Sequence, residues 1–225
     1  MSPLLKRQEP SPEENRILEI TRNAAVQLGM VNLNFDSISW TNFGTRSAKP
    51  ALVDYPILIR HRLLLARVLM ELLSPDDWKP LIISELIFSK KLKPGLRRQA
   101  TIKIALPLIF VALAEIAALI LIPNQRAEYS PLAILFAIAG GVMLVLGQRR
   151  YSPIVKKARL HADLETASLT GKDNFLRVLR KIDDQGLRAV TRLKNARFAR
   201  NFADRPDMTE RIASLEQESP GYSFG

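Results

Sequence analysis

The sequence predicts a mainly α-helical protein with a small β-sheet, interrupted in its middle by a two-helix transmembrane hairpin. Three observations lead there. Two long apolar stretches, IALPLIFVALAEIAALILI over 104–122 and PLAILFAIAGGVMLVLG over 131–147, hold one charge between them, Glu115. Each approaches the roughly 20 residues that a spanning helix needs. On either side, apolar residues recur at helical spacing between start and stop signals. Two short runs in the N-terminal arm alternate apolar and polar residues as strands do.

A polar tail, 1–10, precedes the N-terminal part of the domain, 11–100. The first helix starts at SPEEN, with Ser11 at the cap, Pro12 next and Glu14 three residues on. Ile17, Leu18, Ile20, Ala24, Ala25 and Leu28 fall on one face, and Gly29 stops it. VNLNFDSISW and ALVDYPILIR read as short strands separated by the loop TNFGTRSAKP. HRLLLARVLMELL, from His61 to Leu73, reads as an apolar helix, and Ser74-Pro75-Asp76-Asp77 caps the next, with Asp77 at the third position. The hairpin occupies 101–148. The C-terminal part, 149–216, is helical: Tyr151 to Leu169 ends at Thr170-Gly171, and DNFLRVLRKIDDQGL follows with Phe175, Leu176, Leu179 and Ile182 inward. A further helical stretch closes it before a tail, 217–225.

The 225 residues include no cysteine, which excludes disulfides and thiolate metal sites, and two histidines, His61 and His161. The net charge of +11 fits nucleic acid, an anionic membrane surface or the flanks of membrane spans. Its distribution favours the flanks, since SKKLKPGLRRQATIK precedes the apolar pair and QRRYSPIVKKAR follows it, while PNQRAEYS between them carries one Arg and one Glu. By the positive-inside rule both arms and both termini lie in the cytoplasm or its organellar equivalent. The N-terminal residues show no signal-peptide core.

Four segments, LLSPDDWKPLIISEL, the apolar hairpin, RRYSPIVKKARLHADLETASLTGKDNFLRVLRKID and RPDMTERIASLE, stand in an order that resembles the HtpX-like membrane zinc metallopeptidases, relatives of the CAAX prenyl proteases. The resemblance implies a zincin-like fold. It also implies a zinc ion held by two histidines of a His-Glu-x-x-His helix and a Glu from a later helix, with the first Glu as general base. Residues four apart share a helix face, so such histidines converge on one ion.

Here Ser84 stands at the first His position, Glu85 at the base, Phe88 at the second His, and Arg159, four residues before Asp163, at the third ligand. Arg205 replaces the closing segment's His. A hydroxyl is a poor zinc ligand, a phenyl ring is none, and a guanidinium repels a dication. No metal, cofactor or small-molecule substrate is expected, and the vestigial site comprises Ser84, Glu85, Phe88, Arg159 and Asp163. Two arrangements remain open: Glu85 and Arg159 pair where zinc would sit, or the site opens and both charges are solvated. His161, two residues from Arg159, points away around the helix.

These residues imply a catalytically inactive, membrane-anchored homologue serving as a structural or binding subunit of a membrane protein complex. Glu115, Gly140 and Gly141 supply its contacts in the membrane. Two other readings compete: a peptidase rearranged around Glu85, Asp163 and His161, and binding of anionic lipid or nucleic acid by Arg177, Arg180, Lys181, Arg188, Arg192, Lys194, Arg197 and Arg200, nucleic acid being the less favoured partner.

Overall fold

The computed structural model describes residues 10–41, 54–59, 61–100, 130–187 and 205–217, with positions 109, 112, 113 and 116. Helix α1, Pro12–Gln27, begins with a reciprocal capping box between Ser11 and Glu14. Its inward face is Ile17, Leu18, Ile20, Thr21, Ala24 and Ala25, and Gly29 turns the chain at φ 73°, a left-handed conformation open to glycine. The other Glu14 oxygen accepts from Trp40 Nε1 at 2.6 Å, and Trp40 meets Trp78 edge-on at 5.9 Å. One capping residue thus ties the start of α1 to the sheet and to the next helix.

The sheet has three strands in the order β1 (Ser37–Thr41), β3 (Arg62–Ala66), β2 (Ile57–Ile59). β1 runs parallel to β3, with Trp40 opposite Leu65; β2 is antiparallel, with Leu58 opposite Leu63. The helix expected over His61–Leu73 is therefore a central strand followed by a 3₁₀ turn, Arg67–Leu69. Leu63, Leu65 and Ala66 are buried here, and a short apolar run reads alike as strand and as buried helix until its neighbours are known.

Ser74 and Asp77 form a second capping box on the 3₁₀ turn Pro75–Asp77, which leads into α2, Trp78–Leu86. α2 widens into a π-helical stretch, Ile87–Leu92, before α3, Lys93–Ala100. The long α4, Ser130–Thr170, ends at Gly171 with φ 89°. α5, Lys172–Asp183, buries Phe175, Leu176, Val178, Leu179 and Ile182, and α6, Met208–Gln217, closes the described chain. α4 lies against α2, α5 and α6, and α1 covers α2 from the other side, around Leu63, Leu65, Trp78, Leu81, Ile82 and Phe175.

Among the described residues no helix is long and apolar enough to cross a membrane. The expected transmembrane hairpin and the two-span topology with cytoplasmic termini are corrected accordingly. Residues 131–147 open α4. α4 then runs on into charged sequence that packs in the domain. The other expected span, 104–122, including Glu115, lies outside the described residues apart from isolated positions. Gly140 and Gly141, assigned to contacts in the membrane, face open space, with no described atom within 4 Å of a Cβ built on either.

Candidate functional site

The vestigial-site residues converge where α2 and its π-helical extension meet α4. Arg159 and Asp163 are one turn apart on the buried face of α4, whereas His161 between them is exposed. Ser84 and Glu85 face them from α2, and Phe88 lies in the first turn of the π-helical stretch, a geometry that recurs at functional sites. Arg159 Nη1 donates to Glu85 Oε2 at 3.0 Å, and its guanidinium carbon lies 3.7 Å from the Phe88 ring centroid. Ser84 Oγ donates to Asp163 Oδ1 at 2.6 Å. All five side chains are buried. Of the two arrangements open from the sequence, the charges pair.

Three residues that sequence reasoning did not select complete the cluster. Arg211 of α6, fully buried, grips Asp163 with two bonds: Nε to Oδ2 at 2.7 Å and Nη2 to Oδ1 at 2.9 Å. Its third nitrogen, Nη1, donates to Asp54 Oδ2 at 2.9 Å. Local chemistry aims it: Asp207 and Glu210 form a reciprocal capping box at the start of α6. Lys156 of α4 holds Glu210 at 3.1 Å. Tyr55, just ahead of β2, is the third addition. Its ring has the guanidinium carbons of Arg211, Arg159 and Arg205 at 4.4, 4.6 and 5.3 Å from its centroid. The Tyr55 hydroxyl and Arg159 Nε are buried without a hydrogen-bond partner among the described residues.

The electrostatics divide the cluster. Burial lifts the Glu85 carboxyl above its ordinary range, and the opposing pull of Arg159 does not overcome it. Burial likewise drives the Tyr55 phenol far upward, so it stays protonated. For Arg211 burial works against the charge, yet the Asp163 carboxylate prevails and holds the guanidinium well above its ordinary value. One ion pair is thus dominated by desolvation, the other by attraction.

A zinc ion does not fit these residues. The cation in the site is the Arg159 guanidinium, bound to the carboxylate that would serve a metal-bound water, while Ser84 and Asp163 are taken up by each other and by Arg211. Among the described residues no three His, Cys, Asp or Glu side chains gather as a metal site would require. His61 is exposed and bonds the Asn34 carbonyl at 2.9 Å through Nδ1.

The basic residues of α5 are committed elsewhere. Arg177 and Lys181 both hold Asp77, at 2.8 and 3.0 Å, and Arg180 holds Glu216 at 2.7 Å. Although burial acts to raise it, the bonds from Lys181 and Arg177 bring the Asp77 carboxyl below its ordinary range. These cations clamp α5 to the start of α2 and the end of α6. Arg188, Arg192, Lys194, Arg197 and Arg200 lie outside the described residues.

No family model, curated protein or solved structure matches the chain. The resemblance to the zinc metallopeptidases rests on its sequence segments alone.

Proposed function

We propose that the chain is a catalytically inactive, metal-independent relative of zincin-like metallopeptidases that acts as a structural or binding subunit of a larger protein assembly. One observation carries this reading: the positions that would hold zinc are closed on themselves by the Glu85–Arg159 ion pair over Phe88. Glu85 cannot activate water while it accepts from a guanidinium in a buried site. His161, the histidine nearest the site in sequence, does not take over as a base, because it is exposed on the far side of α4. A scaffold that keeps its core while filling its centre retains surfaces, and two of the three strands, β1 and β2, are sheet edges among the described residues. Such edges accept an extended peptide as an added strand.

The test is elemental analysis of protein purified without chelator, followed by thermal unfolding with added zinc or with a chelator. Sub-stoichiometric metal and an unchanged melting temperature are expected. One zinc per chain, with chelation lowering the melting temperature, overturns the proposal. The assembly is tested by the native mass of the protein extracted gently from its source, where a lone monomer counts against a subunit.

A further inference from the structure

The group around the Arg159 side chain has the composition of a receptor for a guanidinium cation. On one side lies a carboxylate, Glu85, at 3.0 Å; on others lie two aromatic rings, Phe88 and Tyr55, with centroids 3.7 and 4.6 Å from the guanidinium carbon. A cation between aromatic faces beside a carboxylate is held by the ring quadrupoles, by charge and by shape. All three receptor residues come from elements other than α4, so the cage does not depend on the chain segment that fills it.

Arg159 also fits this cage incompletely. It makes one hydrogen bond to Glu85 and leaves Nε buried without a partner among the described residues, whereas Arg211, which also lies against Tyr55, uses Nε, Nη1 and Nη2. A buried donor without an acceptor weakens the hold of the occupant on its site. Tyr55 is shared by the two arginines, and its hydroxyl, unpartnered among the described residues, is a further group that an incoming ligand can use.

We propose that Tyr55, Glu85 and Phe88 form a guanidinium-binding site that Arg159 fills in cis, and that accepts an arginine side chain from a partner when Arg159 is withdrawn. The contact with Arg159 is then autoinhibitory. The inference rests on the binding-subunit reading for the partner but not for the site, and zinc analysis tests the one while the following experiment tests the other.

Arg159→Ala removes the internal occupant and leaves the cage. Thermal unfolding is followed with added N-propylguanidinium, which replaces the missing side chain, against propylurea of the same shape without charge and against sodium chloride of the same ionic strength. The variant is expected to gain about 2–4 °C with the cation at about five times its Kd. It should gain nothing with propylurea or salt, and wild type should gain nothing from any of them. Adding Glu85→Ala or Phe88→Ala to the variant should abolish the gain. An equal response to propylurea or salt, no response at all, or a response that survives Glu85→Ala overturns the site. Should Arg159→Ala fail to fold, recovery of the folded state on refolding with N-propylguanidinium but not with propylurea supports it, and no recovery overturns it. The partner is tested with N-acetyl-arginine amide on Arg159→Ala, where binding that is lost with the citrulline analogue is expected and equal binding of both overturns it.

Discussion

Arg159 and Arg211 are both buried beside the same tyrosine, and they are held in opposite ways. Arg211 has Asp163 in a two-bonded grip and Asp54 on its remaining nitrogen; every polar group of its fork is satisfied. Among the described residues Arg159 has one bond to one carboxylate, two aromatic rings and an idle Nε. Attraction dominates at Arg211 and raises its pKa, while desolvation dominates at Glu85 and raises the carboxyl's, which disfavours the charged form. A buried pair contributes to stability only when geometry and further hydrogen bonds offset the loss of water. The difference assigns the Arg211 cluster to the architecture and the Arg159 cage to a site that keeps its chemistry at some expense of stability.

The largest effect expected on this contrast is at Arg211. Arg211→Met leaves Asp163 and Asp54 buried without their cation and removes the tie between α4, α6 and the segment before β2. Loss of one member of a buried, bonded charge cluster destabilises by about 3–5 kcal/mol. Chemical denaturation should show that loss, and a change below about 1 kcal/mol would place Asp163 and Asp54 in contact with water and dissolve the contrast.

Glu85→Gln should be far milder, within about 1.5 kcal/mol of wild type, because the amide oxygen still accepts from Arg159 and the charge it removes is already disfavoured. Its signature is in pH. A carboxyl whose folded pKa lies above the ordinary 4.5 contributes stability that is fully present below that value and is lost as pH rises through the folded value. As pH rises from the ordinary carboxylate range through the raised folded value, wild type should therefore lose stability relative to Glu85→Gln. Parallel profiles for the two proteins would show that Glu85 is not desolvated as its burial implies.

This comparison also marks how far the sequence could be read. The Glu85–Arg159 pairing was one of two arrangements the sequence left open: the resemblance set residue 159 at the third-ligand position, four before Asp163, and a buried carboxylate needs a countercharge. Arg211 was not, since its carboxylate partner Asp54 lies 157 residues away and an arginine in TERIAS reads as surface until the fold buries it. The usable signal was Asp207 and Glu210 in capping-box spacing just before it, which fixes the first turn of α6. Tyr55 gave no sign in DYP, a motif that reads as a strand approach. Composition misled at two places. RLLLA, within the run read as an apolar helix, is the central strand, and the apolar length of 131–147 suggested a span although it opens a helix that continues into the domain.

The smallest effect sharpens the comparison most, because Tyr55 belongs to both halves. Tyr55→Phe deletes a buried hydroxyl that has no partner among the described residues while keeping the ring that all three arginines approach. Removing an unsatisfied buried polar group relieves a desolvation penalty, so stability should stay level or rise by up to about 1 kcal/mol. The phenol's raised pKa keeps it neutral, so this outcome should not change between pH 5 and 9. A loss above about 1 kcal/mol would mean that an internal water bonds the hydroxyl, with Arg159 Nε as its natural second partner. The Arg159 cage would then be as fully satisfied as the Arg211 cluster, and the ground for treating Arg159 as a displaceable occupant would be gone.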